Sequence, residues 1–344
     1  MEGDGSGDGG AAMAIAGAAS GAGAGSADLR HDRLTGLTSL VVPTWETVKA
    51  ADPTVIGLEL PVGTRPCPFC PEQMDRDVSS AGEETARVAG ADRHRAWSSL
   101  ALQNRWPHTV ERDAAEVVIL SDLHDAHLGS LDPGEATSAL TLLLARADAQ
   151  RAAGRFPLVF VNHGVNAGSS QPHPHGQVIG LPGQDPGSRA ESGALEEGRC
   201  VLCEELSAER LVARVDGARI VVPEAPAIDY DQTVVLSGHR RAEPGAVALG
   251  IAAALRALFA VLGPVAYNLV VHESGHPHVH VTPRTARHSG YELAGIRTCY
   301  VAPELAAARL ATAARATGHA DPATAPVAAD PSEEGSGERR SDAA

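Results

Sequence analysis

From residue 115 to residue 180 the chain alternates between two hydrophobic periods. Val117–Leu120 is a short β-branched run that closes on His124. Thr137–Ala153 carries apolar residues at helical spacing and stops at Gly154. Leu158–Asn162 is again strand-like, and it leads to His173-Pro174-His175. The same order returns downstream. Thr233–Leu236 closes on His239, Ala246–Leu262 reads as an apolar helix, Tyr267–Val271 as a strand, and His276-Pro277-His278-Val279-His280 follows. Each series is preceded by a C-x-x-C pair, Cys67/Cys70 and then Cys200/Cys203. A unit stated twice predicts a duplicated α+β fold with mainly antiparallel sheets and packed helices. The expected halves are residues 28–185 and 186–317, with a Gly-, Pro- and acid-rich linker near Leu181–Arg199.

Composition narrows the picture. Hydrophobic residues make up 43% of the 344 and aromatics only 3%, so Val, Leu, Ile and Ala must build the core. Residues 1–27 are Gly, Ala and Ser, and 318–344 are Pro, Ala, Ser and Glu; both are expected to be disordered tails. The net charge is −15. Such an acidic chain argues against a nucleic-acid partner, though not against a small phosphate ligand held locally. No stretch of about 20 residues is free of charge and proline, so no membrane span is expected. The acidic start is unlike a secretory signal, and a cytoplasmic protein is expected.

The cysteines then take on meaning. In a long chain of that kind, C-x-x-C pairs suggest metal ligands more than disulfides. Two thiolates from one tight turn can bite a Zn²⁺ whose other ligands are histidines. His124 and His173 are the candidates to complete the first set, with His127 competing for the place of His124. In the second half the corresponding candidates are Cys200, Cys203, His239 and His272.

On a strand, His173, His175 and Gln177 share one face. Upstream lie Asn162, Gly164, Gly168, Ser169 and Ser170, a Gly/Ser cradle whose N–H and O–H groups suit phosphate oxygens. A neutral imidazole beside such a cradle can attack phosphorus, which makes His175 the candidate nucleophile. His278 is its rival, without a comparable cradle upstream.

The run Phe160-Val161-Asn162-His163-Gly164-Val165-Asn166-Ala167-Gly168-Ser169-Ser170-Gln171-Pro172-His173-Pro174-His175-Gly176-Gln177 closely resembles the active-site signature of galactose-1-phosphate uridylyltransferases, members of the histidine-triad superfamily. Arg30–Gly36, Cys67-Pro-Phe-Cys70, Asn104–Pro107, Ser121–His124, Tyr267–His272 and Gly290-Tyr291-Glu292 are similar to further segments of that family, over roughly residues 30–315. The arginine pair that follows the N-terminal segment in the family has no counterpart here. The resemblance implies a duplicated histidine-triad-like fold. It implies zinc at Cys67, Cys70, His124 and His173, and His175 as the residue that becomes nucleotidylated. It places Asn104, Asn162, Ser170 and Gln177 around the nucleotide and phosphates, and Tyr291 and Glu292 near the hexose.

The second half also offers a carboxylate with three histidines, Glu191, His272, His278 and His280, similar to bacterial members. The cysteine set is similar to plant ADP-glucose phosphorylases. The implied activity is ping-pong nucleotidyl transfer between a nucleotide sugar and a hexose 1-phosphate, of the UDP-glucose–hexose-1-phosphate uridylyltransferase type in galactose metabolism, with a homodimer as the usual state. A phosphorylase of ADP-sugars or dinucleoside polyphosphates, or a zinc-stapled nucleotide-binding module, uses the same features. The residues leave the base and the acceptor open. Gln177, where histidine-triad hydrolases carry a third His, donates hydrogen bonds but takes up no proton at neutral pH, and so favours transfer over hydrolysis.

Overall fold

The computed structural model describes residues 28–33, 35, 38–41, 67–74, 82–90, 97–104, 112–169, 171–196, 200–204, 208–239, 241, 243–273, 275–286 and 289–318. Both tails expected to be disordered, apart from Gly318, lie outside these residues, as does Ser170.

The expected α+β, mainly antiparallel architecture is what the structure shows. Ten strands form one sheet. The first five are β3 (Glu84–Val88), β4 (Ser99–Gln103), β5 (Ala115–Ile119), β6 (Phe156–His163) and β7 (His175–Leu181). The other five are β8 (Leu211–Val215), β9 (Ala218–Val221), β10 (Gln232–Leu236), β11 (Tyr267–His272) and β12 (His278–Pro283). Their spatial order is β3-β4-β5-β7-β6-β11-β12-β10-β9-β8. Each half of the chain supplies five strands in the same internal order, and the halves join where β6 pairs with β11. A small second sheet holds β1 (Asp28–His31), β2 (Thr38–Val41) and β13 (Ile296–Cys299).

Helices cover one face of the large sheet. α1 (Pro71–Met74) belongs to the first C-x-x-C turn. α2 (Pro133–Ala152) and α5 (Pro244–Leu262) occupy matching places in the two halves. Asp132 caps α2 by accepting from Gly134 N at 2.8 Å, and proline opens both helices, where the missing N–H costs nothing. With few aromatics, close approach replaces bulk. Ala139, Ala147, Ala248, Ala254 and Ala257 are buried with Leu140, Leu143, Ile251 and Leu255 in one core between helices and sheet. Gly250 lets α5 touch β10, since a Cβ there would stand 2.4 Å from Val234 Cγ1. α5 is long and apolar enough to cross a membrane by length and composition, but it packs in this core. α7 (Pro303–Ala316) packs beside α5.

The expected linker near Leu181–Arg199 is mostly a helix, α3 (Pro186–Glu196), followed by α4 (Val201–Glu204). Asp185 Oδ1 accepts from Ser188 N at 3.0 Å and starts α3 at Pro186, so a segment rich in Gly, Pro and acids folds and carries Glu191 inward. α6 (Gly290–Leu293) has a capping box between Ser289 and Glu292.

Candidate active site and metal clusters

The chemistry-bearing side chains gather on the sheet face opposite the helices. Strand alternation sends Gly176 and Val178 toward α2, and His175 and Gln177 away from it. Gly176 must be small, because a Cβ there would lie 3.0 Å from Leu143 Cδ1. The register that pairs Val161 with Gly176 sets Asn162 beside His175 on the open face. One strand further, Asn268 stands opposite Asn162, and Thr282 opposite Asn268. His175, Asn162, Asn268 and Thr282 therefore form one row across four strands.

The cradle is tied to this row. Gly164 (φ 85°) and Gly168 (φ 82°) flank a single helical turn, Val165–Ala167, and Ser169 N returns to Gly164 O at 3.1 Å. These left-handed conformations suit glycine. Asn268 Nδ2 donates to Asn162 Oδ1 at 2.7 Å and to Ala167 O at 2.9 Å, so one amide locks both Asn162 and the cradle.

His175 is buried, and its Nδ1–H donates to His173 O at 2.8 Å. That bond fixes the tautomer and leaves the Nε2 lone pair for chemistry. Burial pushes its pKa below the ordinary histidine value, partly opposed by the same hydrogen bond, so the ring is neutral near pH 7. The edge of Phe69, from the first C-x-x-C turn, packs 5.3 Å from it.

Cys67, Cys70, His124 and His173 converge, with their ligand atoms within 4.8 Å of one another. Cys70 Sγ lies 3.2 Å from His124 Nδ1 and 3.8 Å from His173 Nδ1. His173 Nε2–H donates to Ser121 O at 2.7 Å, which turns the Nδ1 lone pair toward the thiols. Burial and the neighbouring Cys67 push the Cys70 thiol up to about 12, and burial pushes His173 down to about 4. Bringing an S₂N₂ set this close without an ion is unfavourable for the thiolates, and a Zn²⁺ reverses that sign. His127 is not part of the set: its ring packs 4.6 Å from Phe259 and accepts from Gly129 N.

The second half requires a correction. Cys200, Cys203 and His239 gather with His276, not with His272. His276 Nδ1 lies 3.1 Å from Cys200 Sγ, and its Nε2–H donates to Leu236 O at 2.8 Å. The arrangement repeats that of His173, whose proton goes to Ser121 O beyond the matching strand. The signal was present in the sequence: aligning His173-Pro-His175 with His276-Pro-His278 makes His276 the counterpart of His173. By register, His272 is the counterpart of Asn162.

His272 belongs to a third group with Glu191, His278 and His280. Glu191 Oε2 lies 2.7 Å from His272 Nδ1 and 3.6 Å from His278 Nε2, and Oε1 lies 3.1 Å from His280 Nε2. Burial alone would raise the Glu191 pKa, but the three histidines hold it far below the usual carboxylate range. His278 Nε2 is buried without a hydrogen-bond partner, as a metal ligand would be. The two second-half options therefore coexist on different residues. His278, the rival nucleophile, points into this group, whereas His175 has Asn162 beside it by register.

Of the other expected site residues, Asn104 directly follows β4, with its N–H on Ala115 O at 2.8 Å, on the β5 side of β7. Gln177 is opposite Phe160 and Val117. Tyr291 is 56% exposed. Glu292 accepts from Ser289 N and Oγ and from the Thr298 hydroxyl. Burial opposes these bonds, yet they hold its carboxyl down to about 2. Glu292 lines a cavity of about 380 Å³ with Asn268, Thr282, Arg284 and Arg297. Neither Asn268 nor Arg284 was singled out in the sequence. Asn268 could have been found as the polar position of an otherwise apolar strand, Tyr267–Val271.

No protein-family model matches the chain. A uridylyltransferase structure superposes with a TM-score of 0.59 at 26% identity, over 84% of this chain and 99% of that one. The chain has the uridylyltransferase fold. An ADP-glucose phosphorylase from Arabidopsis thaliana is 25% identical over 326 residues, 81% of this chain and 90% of the relative. The crystal structure of an Arabidopsis ADP-glucose phosphorylase with bound ADP-glucose has the same fold, with a TM-score of 0.67 at 21% identity, over 83% of this chain and 99% of that one. These relatives are enzymes, and the expectation of an enzyme of the nucleotidyltransferase class agrees with them.

Proposed function

We propose that the protein transfers a nucleotidyl group from a nucleotide sugar to a phosphate-bearing acceptor through a covalent adduct on His175. The observation that carries this reading is the buried, neutral His175, with Nδ1–H bound to His173 O, beside Asn162 and the Gly164–Ser169 turn. Its Nε2 lone pair attacks the α-phosphorus. The bond from that phosphorus to the bridging oxygen breaks, and the sugar 1-phosphate leaves with the electron pair. In the second step a phosphate oxygen of the acceptor attacks the same phosphorus and the N–P bond breaks, which restores His175. No proton needs a separate acceptor when both the leaving group and the nucleophile are phosphate dianions. Asn162 and Gln177 donate amide N–H groups to the phosphoryl oxygens, while the turn, whose Ala167, Gly168 and Ser169 N–H groups bond within it, shapes the edge of the site.

The two Cys₂His₂ groups suit zinc. Closed S₂N₂ sites are structural, and each would pin a loop to a strand end. Glu191, His272, His278 and His280 form a harder, thiol-free set that suits a first-row divalent ion. Zinc at the first group would hold the turn that carries Phe69 against His175.

The acceptor is a hexose 1-phosphate in a uridylyltransferase, and such a role would belong to cytoplasmic galactose metabolism. The likeness to ADP-glucose phosphorylase favours a second reading, in which ADP-glucose is the donor. Mass spectrometry of the intact protein after separate incubation with UDP-glucose and ADP-glucose tests both. A gain of one uridylyl or one adenylyl group supports the proposal and names the base. No gain with either donor contradicts it.

A further inference from the structure

The second cysteine group and the third group share two stretches of chain. Cys200 follows Glu191 by nine residues, and His278 follows His276 by two. In sequence the two sets are similar to different branches of one superfamily, and here both are assembled, on different residues. They differ in access. Cys203 and His239 are exposed, whereas Glu191, His272 and His278 are buried.

Three contacts run from one group to the other. The first passes through His276. Its Nδ1 lies 3.1 Å from Cys200 Sγ and 3.5 Å from Cys203 Sγ, and its backbone carbonyl accepts from His278 Nδ1–H at 2.8 Å. That bond sets the His278 tautomer and leaves Nε2, buried without a hydrogen-bond partner, 3.6 Å from Glu191 Oε2. The second contact passes through the helices. Val201 and Leu202 of α4, together with Ala194 of α3, pack in one small core with Val221 of β9 and Val235 of β10. Val235 is the register partner of His278. A zinc ion joining the α4 turn to His276 would clamp this core, and with it the helix that carries Glu191. The third contact is an ion pair. Arg241, two residues beyond His239, reaches Glu273, the neighbour of His272, at 3.4 Å.

We infer that zinc at the exposed second cysteine group preorganises the buried third group, so that the exposed site governs loading of the buried one. With the cysteine group empty, an ion entering the third group must also order Glu191 and His278, and it binds more weakly. Linkage makes the coupling reciprocal. Zinc on thiolates is held tightly enough to keep its place, so the change shows as lost occupancy of the third group. The inference rests on the metal assignments above and is independent of the transfer chemistry.

Titration with Co²⁺ tests it without requiring turnover. The full-length protein is dialysed until only thiolate-bound zinc remains, and Co²⁺ binding is followed by its visible absorption. The wild type should bind one Co²⁺, and E191Q should keep its zinc and lose that binding. C203S and H239A should each lack one zinc and bind Co²⁺ tenfold or more weakly, within the ordinary range of coupling between sites. Two variants are used so that a folding failure of one leaves the other to decide, and zinc retained at the first cysteine group reports the fold. C70S, which removes the first zinc, should leave Co²⁺ affinity unchanged. Wild-type affinity in C203S and H239A overturns the inference, as does an equal loss in C70S. A wild-type protein that binds no Co²⁺, or an E191Q that binds it normally, refutes the metal assignment of the third group instead, and the inference falls with it.

Discussion

His175 and His278 occupy the same place in the two halves of the sheet. Each donates Nδ1–H over 2.8 Å to the carbonyl of the histidine two residues before it. The surroundings then diverge. Asn162 and Gln177 flank the first, and by register His272 and His280 flank the second, with Glu191 closing over them. One backbone arrangement thus carries the proposed nucleophile beside Asn162 in one half and a metal-type cluster in the other.

The metal content should follow these three groups. The account expects three ions per chain by elemental analysis, with zinc at the two cysteine groups. His276→Ala should lose one zinc. His272→Ala should keep both zincs and lose the ion of the third group. Loss of zinc from His272→Ala and retention in His276→Ala would reverse the assignment.

Much of this was legible before the structure. The alternation of His175 and Gln177, the glycines at 164 and 168, and the first cysteine group are short-range patterns that the chain adopts, whereas His173, read onto the same strand, falls in the bend just before β7 and turns to the cysteines. Contacts set by strand register were harder to read. The partnership of His276 with Cys200 depends on which strand end it reaches, and matching by order along the chain chose His272 instead. Glu191 sits in a segment whose composition says linker, and its burial comes from its contacts with His272 of β11 and with His278 and His280 of β12. Asn268 is unremarkable in sequence because its meaning comes from β11 lying beside β6.

Asn268 holds Asn162 and the cradle through one amide nitrogen. Asn268→Ala should leave Asn162 Oδ1 and Ala167 O without this donor and loosen the phosphoryl site. Two lost bonds at about 1 kcal/mol each predict a fall in kcat/KM of roughly tenfold or more, with zinc content unchanged. Steady-state kinetics and elemental analysis together check this.

Gln177 donates without exchanging a proton. Gln177→His would supply a group able to assist water at near-neutral pH. The free nucleoside monophosphate released per transfer product should rise. An unchanged ratio by chromatography would show that water is excluded by some other means.

His163 stacks on Tyr267 at 4.8 Å, and burial, reinforced by His127 and His175, pushes its pKa down to about 4. The unfolded chain, with an ordinary histidine near 6.5, then binds more protons between those two values. Stability at this site is present in full above about 6.5 and falls as pH drops toward 4. His163→Phe should flatten the decline of melting temperature between pH 6.5 and pH 4.5. An equally steep decline in the variant would exclude His163 as its source.

The central claim is that His175, in the first half, carries the nucleotidyl group. Peptide mapping of the trapped adduct tests it most directly, using wild-type protein, His175→Asn and His278→Asn after incubation with a nucleotide sugar. The account predicts a modified peptide containing His175 in the wild type and in His278→Asn, and no modification in His175→Asn. A nucleotidyl group found on His278, or one that survives in His175→Asn, would contradict it.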